Sequence, residues 1–99
     1  MKIWLAEFIG TFALLFAGVG AIASGAEGLA VAFAFGLTVA VMIASVGGIS
    51  FAHFNPAVTV GFFVLGRINF WQLLLYWSAE FFGATAAIFL LQFFYGAER

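Results

Sequence analysis

Ile49-Ser50-Phe51-Ala52-His53-Phe54-Asn55-Pro56-Ala57-Val58-Thr59 sets a polar, helix-breaking segment between runs apolar enough to lie in lipid. Backbone polar groups find no water in hydrocarbon, so irregular backbone at membrane depth survives only inside protein or beside an aqueous path. Proline suits the first position of a helix and asparagine is a good N-cap, so Asn55-Pro56 is predicted to start a helix running to about Leu65. Ten residues at ~1.5 Å each give about 15 Å, half the ~30 Å thickness of the hydrocarbon core. The stretch therefore reads as a re-entrant half-helix.

Outward from it lie three runs long enough to cross the membrane, residues 3–23, 29–45 and 70–94, the middle one slightly short of the ~20 residues a span needs. Ser24-Gly25-Ala26-Glu27-Gly28 is a polar turn joining the first two. Lys2 and the small-x-small Ala21-Ile22-Ala23 imitate a signal peptide, but Glu7 interrupts the apolar core and the run is too long, so it is read as a span. A full crossing by residues 46–66 would put Lys2 and Arg67 on opposite sides, whereas a re-entrant segment puts both inside. Because cytoplasmic loops favour Lys and Arg, the expected topology has the N-terminus and Arg67 cytoplasmic and Glu27 and Arg99 outside. Trp4, Trp71 and Tyr95 fall near span ends, where interfacial aromatics belong.

Small residues recur every fourth position: Ala13, Ala17, Ala21 and Gly25; Gly28, Ala32, Gly36, Ala40 and Ala44; Ala79, Gly83 and Ala87. Such stripes let backbones approach closely and predict a compact bundle.

Composition agrees with the membrane reading: of 99 residues, 67% are hydrophobic and 7% charged, with a mean hydropathy of +1.25. A soluble domain has no way to hide so much apolar surface. Three basic and four acidic residues leave no basic face for nucleic acid. The absence of cysteine excludes a disulfide, a thiolate metal site and a thiol nucleophile, and the lone His53 has no companions for a metal site.

Residues His53 to Thr59 resemble the first Asn-Pro-Ala loop of the aquaporins, the major intrinsic proteins. Ala6-Glu7-Phe8-Ile9-Gly10-Thr11-Phe12 resembles that family's first-helix motif, Ala34-Phe35-Gly36-Leu37-Thr38-Val39 its second, and Tyr76, Ala79 and Gly83 fit its third. The family fold is two inverted three-helix repeats, so the resemblance implies that residues 1–99 are a single repeat: an all-α membrane protein of three transmembrane helices plus one re-entrant half-helix. The second loop, with its filter arginine, has no counterpart here. Departures are Phe51 where glycine is usual, Gly48 where histidine is common and Glu80 where glutamine is common. Bulk at Phe51 is expected to narrow or reshape the loop.

The resemblance implies a pore role for Asn55, Pro56 and Ala57 at the half-helix start, for the carbonyls of Phe51, Ala52 and His53 along the water file, and for Phe35 as the filter residue of the second helix. Asn55 can cap the helix through its oxygen while its NH₂ faces the path, beside the positive end of the half-helix. The ring of His53 reads as a satisfied buried histidine. Glu7, an acid at membrane depth, is expected to accept hydrogen bonds from the loop. Glu80 lies about 15 Å into its span and is expected to be protonated or bonded to loop amides.

The function expected is passive water conduction by single-file hydrogen-bond exchange, with small neutral solutes as further permeants, no enzyme activity and no cofactor. Phe35 and Phe54 resemble water-selective members, since glycerol facilitators tend to carry tryptophan and leucine there. Two alternatives stand beside it: a non-conducting fragment or split-channel subunit that needs a second repeat or another copy of itself, and a proton-coupled carrier using Glu7, Glu80 and His53. The setting is the lipid bilayer of the plasma or inner membrane, crossed several times.

Overall fold

The computed structural model describes residues 1–96, which form four helices and no strand: α1 Lys2–Ala23, α2 Leu29–Ser50, α3 Pro56–Val64 and α4 Phe70–Tyr95. The expected placement of Arg99 lies outside the described residues. Helices α1, α2 and α4 have 22, 22 and 26 residues and are apolar enough to span. At ~1.5 Å per residue, 22 residues reach about 33 Å, just over the hydrocarbon thickness.

Helix α2 corrects the sequence expectation, because it continues past Ser45 through Gly47-Gly48 to Ser50. A glycine pair frays a helix where water competes for the backbone, and in lipid that competitor is missing. The helix stops at Phe51, whose φ of 68° is left-handed, with its N–H bonded to the Gly47 carbonyl. Helix α3 starts at Pro56, as predicted, and ends at Val64 with Leu65 as its C-cap. Its nine residues span about 14 Å, half a membrane. Gly66 at φ 76° turns the chain. The amide of Arg67 bonds the Phe62 carbonyl and that of Gly66 the Phe63 carbonyl, closing a Schellman motif. A reciprocal pair between Asn69 and Gln72 then opens α4.

Pairings between helices fix their directions. Near the starts of α1 and α4 the Trp4 indole donates to Ser78 Oγ at 2.9 Å, and near their ends Ser24 Oγ meets the Tyr95 hydroxyl at 2.8 Å, so these helices run parallel. Ser50 at the end of α2 meets Glu7 near the start of α1, so α2 is antiparallel to both. The chain leaves α2 and enters α4 on the same side of the bundle. Residues 51–66 are therefore re-entrant, a shorter segment than the expected 46–66 because 46–50 belong to α2.

Helix α1 lies between α2 and α4, whose backbones stay apart although the Tyr76 hydroxyl of α4 reaches the Ser50 carbonyl at the end of α2, and α3 packs on α4. Ala79, Gly83 and Ala87 are buried against α1, as their stripe predicts. The α2 stripe does not behave this way: Gly28, Ala32, Gly36, Ala40 and Ala44 are all exposed. On α1 the buried small residues are Ala6, Gly10 and Gly18, whereas Ala13, Ala17 and Ala21 are half-buried and Gly25 is exposed. Small residues permit close approach without selecting which face makes it. The α1–α2 contact is instead a large side chain set on a small one, with the Phe35 ring over Gly18, where an added Cβ would overlap it.

Candidate functional site

The loop joining α2 to α3 holds three non-glycine residues at positive φ: Phe51 at 68°, Ala52 at 54° and Phe54 at 52°. Such residues cost about 1–2 kcal/mol each and persist only when their surroundings over-determine them. A cluster of buried polar groups beneath the loop does so. The largest fully buried side chains among the described residues are Glu7, Glu80, Thr59 and Ser50, all polar.

Glu7, projecting from α1, takes the free loop amides. Its Oε1 accepts from the Phe54 amide at 2.8 Å, and its Oε2 from the His53 amide at 3.1 Å and the Ser50 hydroxyl at 2.6 Å. Backbone without secondary structure thus finds its partner in one side chain. Ser50 Oγ also accepts from the Ala52 amide at 3.2 Å, and the Ser50 carbonyl accepts from the Tyr76 hydroxyl at 2.7 Å. α1, α2 and α4 all grip the same loop.

The His53 ring is sandwiched between Phe62 and Tyr76, with centroids 4.3 and 4.0 Å away, and its Nδ1 lies 2.9 Å from Thr59 Oγ1. Thr59 in turn donates to Glu80 Oε2 at 2.9 Å. Because a hydroxyl has one proton to give, His53 Nδ1–H is then the donor to Thr59. Glu80 meets the threonine hydroxyl and the backbone amide of Asn55, whereas the His53 and Phe54 amides go to Glu7. The three groups of the carrier alternative do converge, linked through Thr59 and the loop backbone.

Asn55 caps α3: its Oδ1 accepts from the Ala57 amide at 2.8 Å, its own carbonyl accepts from the Thr59 amide, and the residue is exposed. With the oxygen committed, the side-chain NH₂ is the group Asn55 has left to offer at the positive end of the half-helix. Pro56 is half-buried and its carbonyl accepts from the Trp77 indole at 3.2 Å. Ala57 and Phe51 are exposed, Phe51 at 74%, so its ring points away from the polar cluster; Ala52 is half-buried.

Phe54 is buried at 3% exposure, its ring so close over Gly10 that an added Cβ would overlap it. It is a wedge between loop and α1. Phe35 stands apart from the loop, on α2 over Gly18, eleven residues and about 16 Å along α1 from Glu7. Sequence reasoning missed Ser50, Thr59 and Trp77 as loop partners and Gly10 and Gly18 as seats. A signal existed for the hydroxyls, since polar groups at membrane depth face one another rather than lipid.

This geometry, an Asn-Pro-capped half-helix packed on α4 behind a loop that the buried Glu7 suspends, accompanies a match of residues 1–99 to the sequence profile described as "Major intrinsic protein". The chain belongs to the major intrinsic protein family. Among curated major intrinsic proteins it is 48% identical over 93 residues to "Aquaporin Z" of Brucella melitensis biotype 1, covering 87% of this chain and 41% of that protein. It is 43% identical over 104 residues to "Aquaporin NIP1-4" of Oryza sativa subsp. japonica, covering 100% of this chain and 38% of the other. "Lens fiber major intrinsic protein" of Lithobates pipiens is 40% identical over 90 residues, at 87% and 34%. The chain spans roughly two fifths of the length of the aquaporins first matched. Within the major intrinsic protein family it is thus an all-helical membrane chain carrying one Asn-Pro-Ala half-helix.

Proposed function

We propose that residues 1–99 form one transmembrane repeat of a passive, water-selective membrane channel that conducts by single-file hydrogen-bond exchange, with no covalent step. The observation that carries this reading is Asn55, whose oxygen is held by the Ala57 amide while its NH₂ stands at the exposed start of a half-length helix. A donor fixed there orients a passing water, and the half-helix dipole opposes cations. The aquaporin names of the matched relatives support water as the permeant, with small neutral solutes as further candidates. Phe51, Ala52, His53, Pro56 and Ala57 would line the path beside Asn55, with Phe35 narrowing it further along.

Only one half-helix is present among the described residues, and every residue of α3 except Thr59, Pro56 and Phe62 is exposed. A complementary second repeat, or another copy inserted the opposite way, is therefore the partner that would complete the file. Stopped-flow swelling of proteoliposomes tests this. The 99-residue chain alone should stay at background, and co-reconstitution with a second repeat should raise water flux. Asn55→Asp, which keeps the capping oxygen and removes the NH₂, should abolish that gain. Rapid flux through the chain alone in vesicles of uniform orientation, or full flux with Asn55→Asp, would refute the reading.

We also place the chain in the plasma or inner membrane with the N-terminus cytoplasmic, on the positive-inside bias of Lys2 and Arg67, both exposed on the side where α1 and α4 begin. The chain has no native cysteine, so an Arg67→Cys variant reports cleanly. It should resist an impermeant maleimide in intact cells and react after permeabilisation; labelling from outside would reverse the orientation.

A further inference from the structure

Glu80 is 1% exposed and its two oxygens differ: Oε2 accepts from Thr59, whereas Oε1 is buried with no hydrogen-bond partner. Glu7, 0% exposed, is the charged group that bears directly on it. A carboxylate offers about four acceptor sites. Glu7 fills two on Oε2, with Ser50 and His53, and one on Oε1, with Phe54, so a site on Oε1 remains.

The other titratable groups around the pair are His53 on the loop, whose Nδ1 faces Thr59, and Tyr76 on α4, whose hydroxyl is committed to the Ser50 carbonyl. From α3 the facing group is the Thr59 hydroxyl and from the loop the Asn55 backbone amide, and Lys2 and Arg67 are exposed at the periphery. Among the described residues no fixed cation offsets the two buried carboxylates, and like charges in one dry site do not both ionise. A proton on Glu80 Oε1 resolves both irregularities: the orphan oxygen becomes a donor, and the vacant site on Glu7 receives it.

We propose that Glu80 is a positioning residue that carries a proton on Oε1 and donates it to the Glu7 carboxylate, so that one shared proton ties α4 to the acid that suspends the re-entrant loop. The pair then holds a single negative charge, spread over four donors at Glu7. Its meaning for conduction rests on the channel-repeat reading, but the protonation state does not, and its test involves no water flux.

Infrared spectroscopy of the purified 99-residue chain at neutral pH should show a carboxylic-acid C=O stretch above the amide I band that shifts in D₂O. The band should vanish in Glu80→Gln and persist, shifted, in Glu7→Gln. No acid band in the parent, a band that survives Glu80→Gln or a band that disappears in Glu7→Gln would overturn the proposal.

Discussion

Glu7→Leu is expected to cost the fold about 2–6 kcal/mol, since each buried donor left unpaired costs about 1–3 kcal/mol and two loop amides, those of His53 and Phe54, donate to this carboxylate. The Ser50 hydroxyl can turn toward another acceptor; the amides cannot, because their directions follow from backbone already held at positive φ. Leucine matches the volume well enough that packing is not the cause of the loss. Glu7→Gln keeps one acceptor oxygen and should be less damaging by about 1–3 kcal/mol. Thermal unfolding in detergent, read by near-UV circular dichroism, ranks the two variants, and amide exchange at residues 53 and 54 should be fast only in Glu7→Leu. Equal melting temperatures would contradict the suspension of the loop from this carboxylate.

The second large effect is expected at Gly83. A Cβ there would stand 2.6 Å from the Phe8 carbonyl oxygen and 3.2 Å from the Phe12 amide nitrogen, both main-chain atoms of α1. Backbone has no rotamer by which to retreat, so α1 and α4 must separate, and the neighbouring contacts at Ala79 and Ala87, each 0% exposed, separate with them. Gly83→Ala should cost about 1–3 kcal/mol, the usual range for overpacking, and Gly83→Leu should prevent α1 and α4 from docking. Gly36→Ala supplies the contrast, because a Cβ there meets nothing within 4 Å; it should be neutral in the isolated chain. Unfolding of the three variants in detergent decides the matter. A Gly83→Leu chain that melts with the parent would show that the close crossing contributes nothing to stability.

The same pair of glycines shows how unevenly the structure was legible. Both sit in fourfold-spaced stripes of small residues, and nothing in the sequence separates Gly83, pressed on α1, from Gly36, exposed on α2. Position along the chain says that a face is smooth, while the register and rotation of the neighbouring helix say whether it is used. Similarly, Gly47-Gly48 reads as the end of a span, because the weakness of glycine in a helix is a property measured against water. The acids were legible as anomalies at membrane depth. Their different partners were not, since residue 7 and residue 80 look alike until α1 and α4 are set side by side.

By itself the sequence determined that this is an all-helical membrane chain, that Asn55-Pro56 starts a helix too short to cross, and that an acid at position 7 needs donors. Each follows from local chemistry: hydropathy over a span's length, a cap followed by a fixed φ, and the cost of a bare carboxylate in hydrocarbon. Only the tertiary structure decided that α1 and α4 run parallel and so make residues 51–66 re-entrant. It also decided that Glu7 takes the His53 and Phe54 amides while Glu80 takes Thr59, and that Phe54 and Phe35 rest on Gly10 and Gly18. Those pairings join residues up to 74 positions apart. Local propensity acts over a few residues, so contacts at that distance are selected by how whole helices pack.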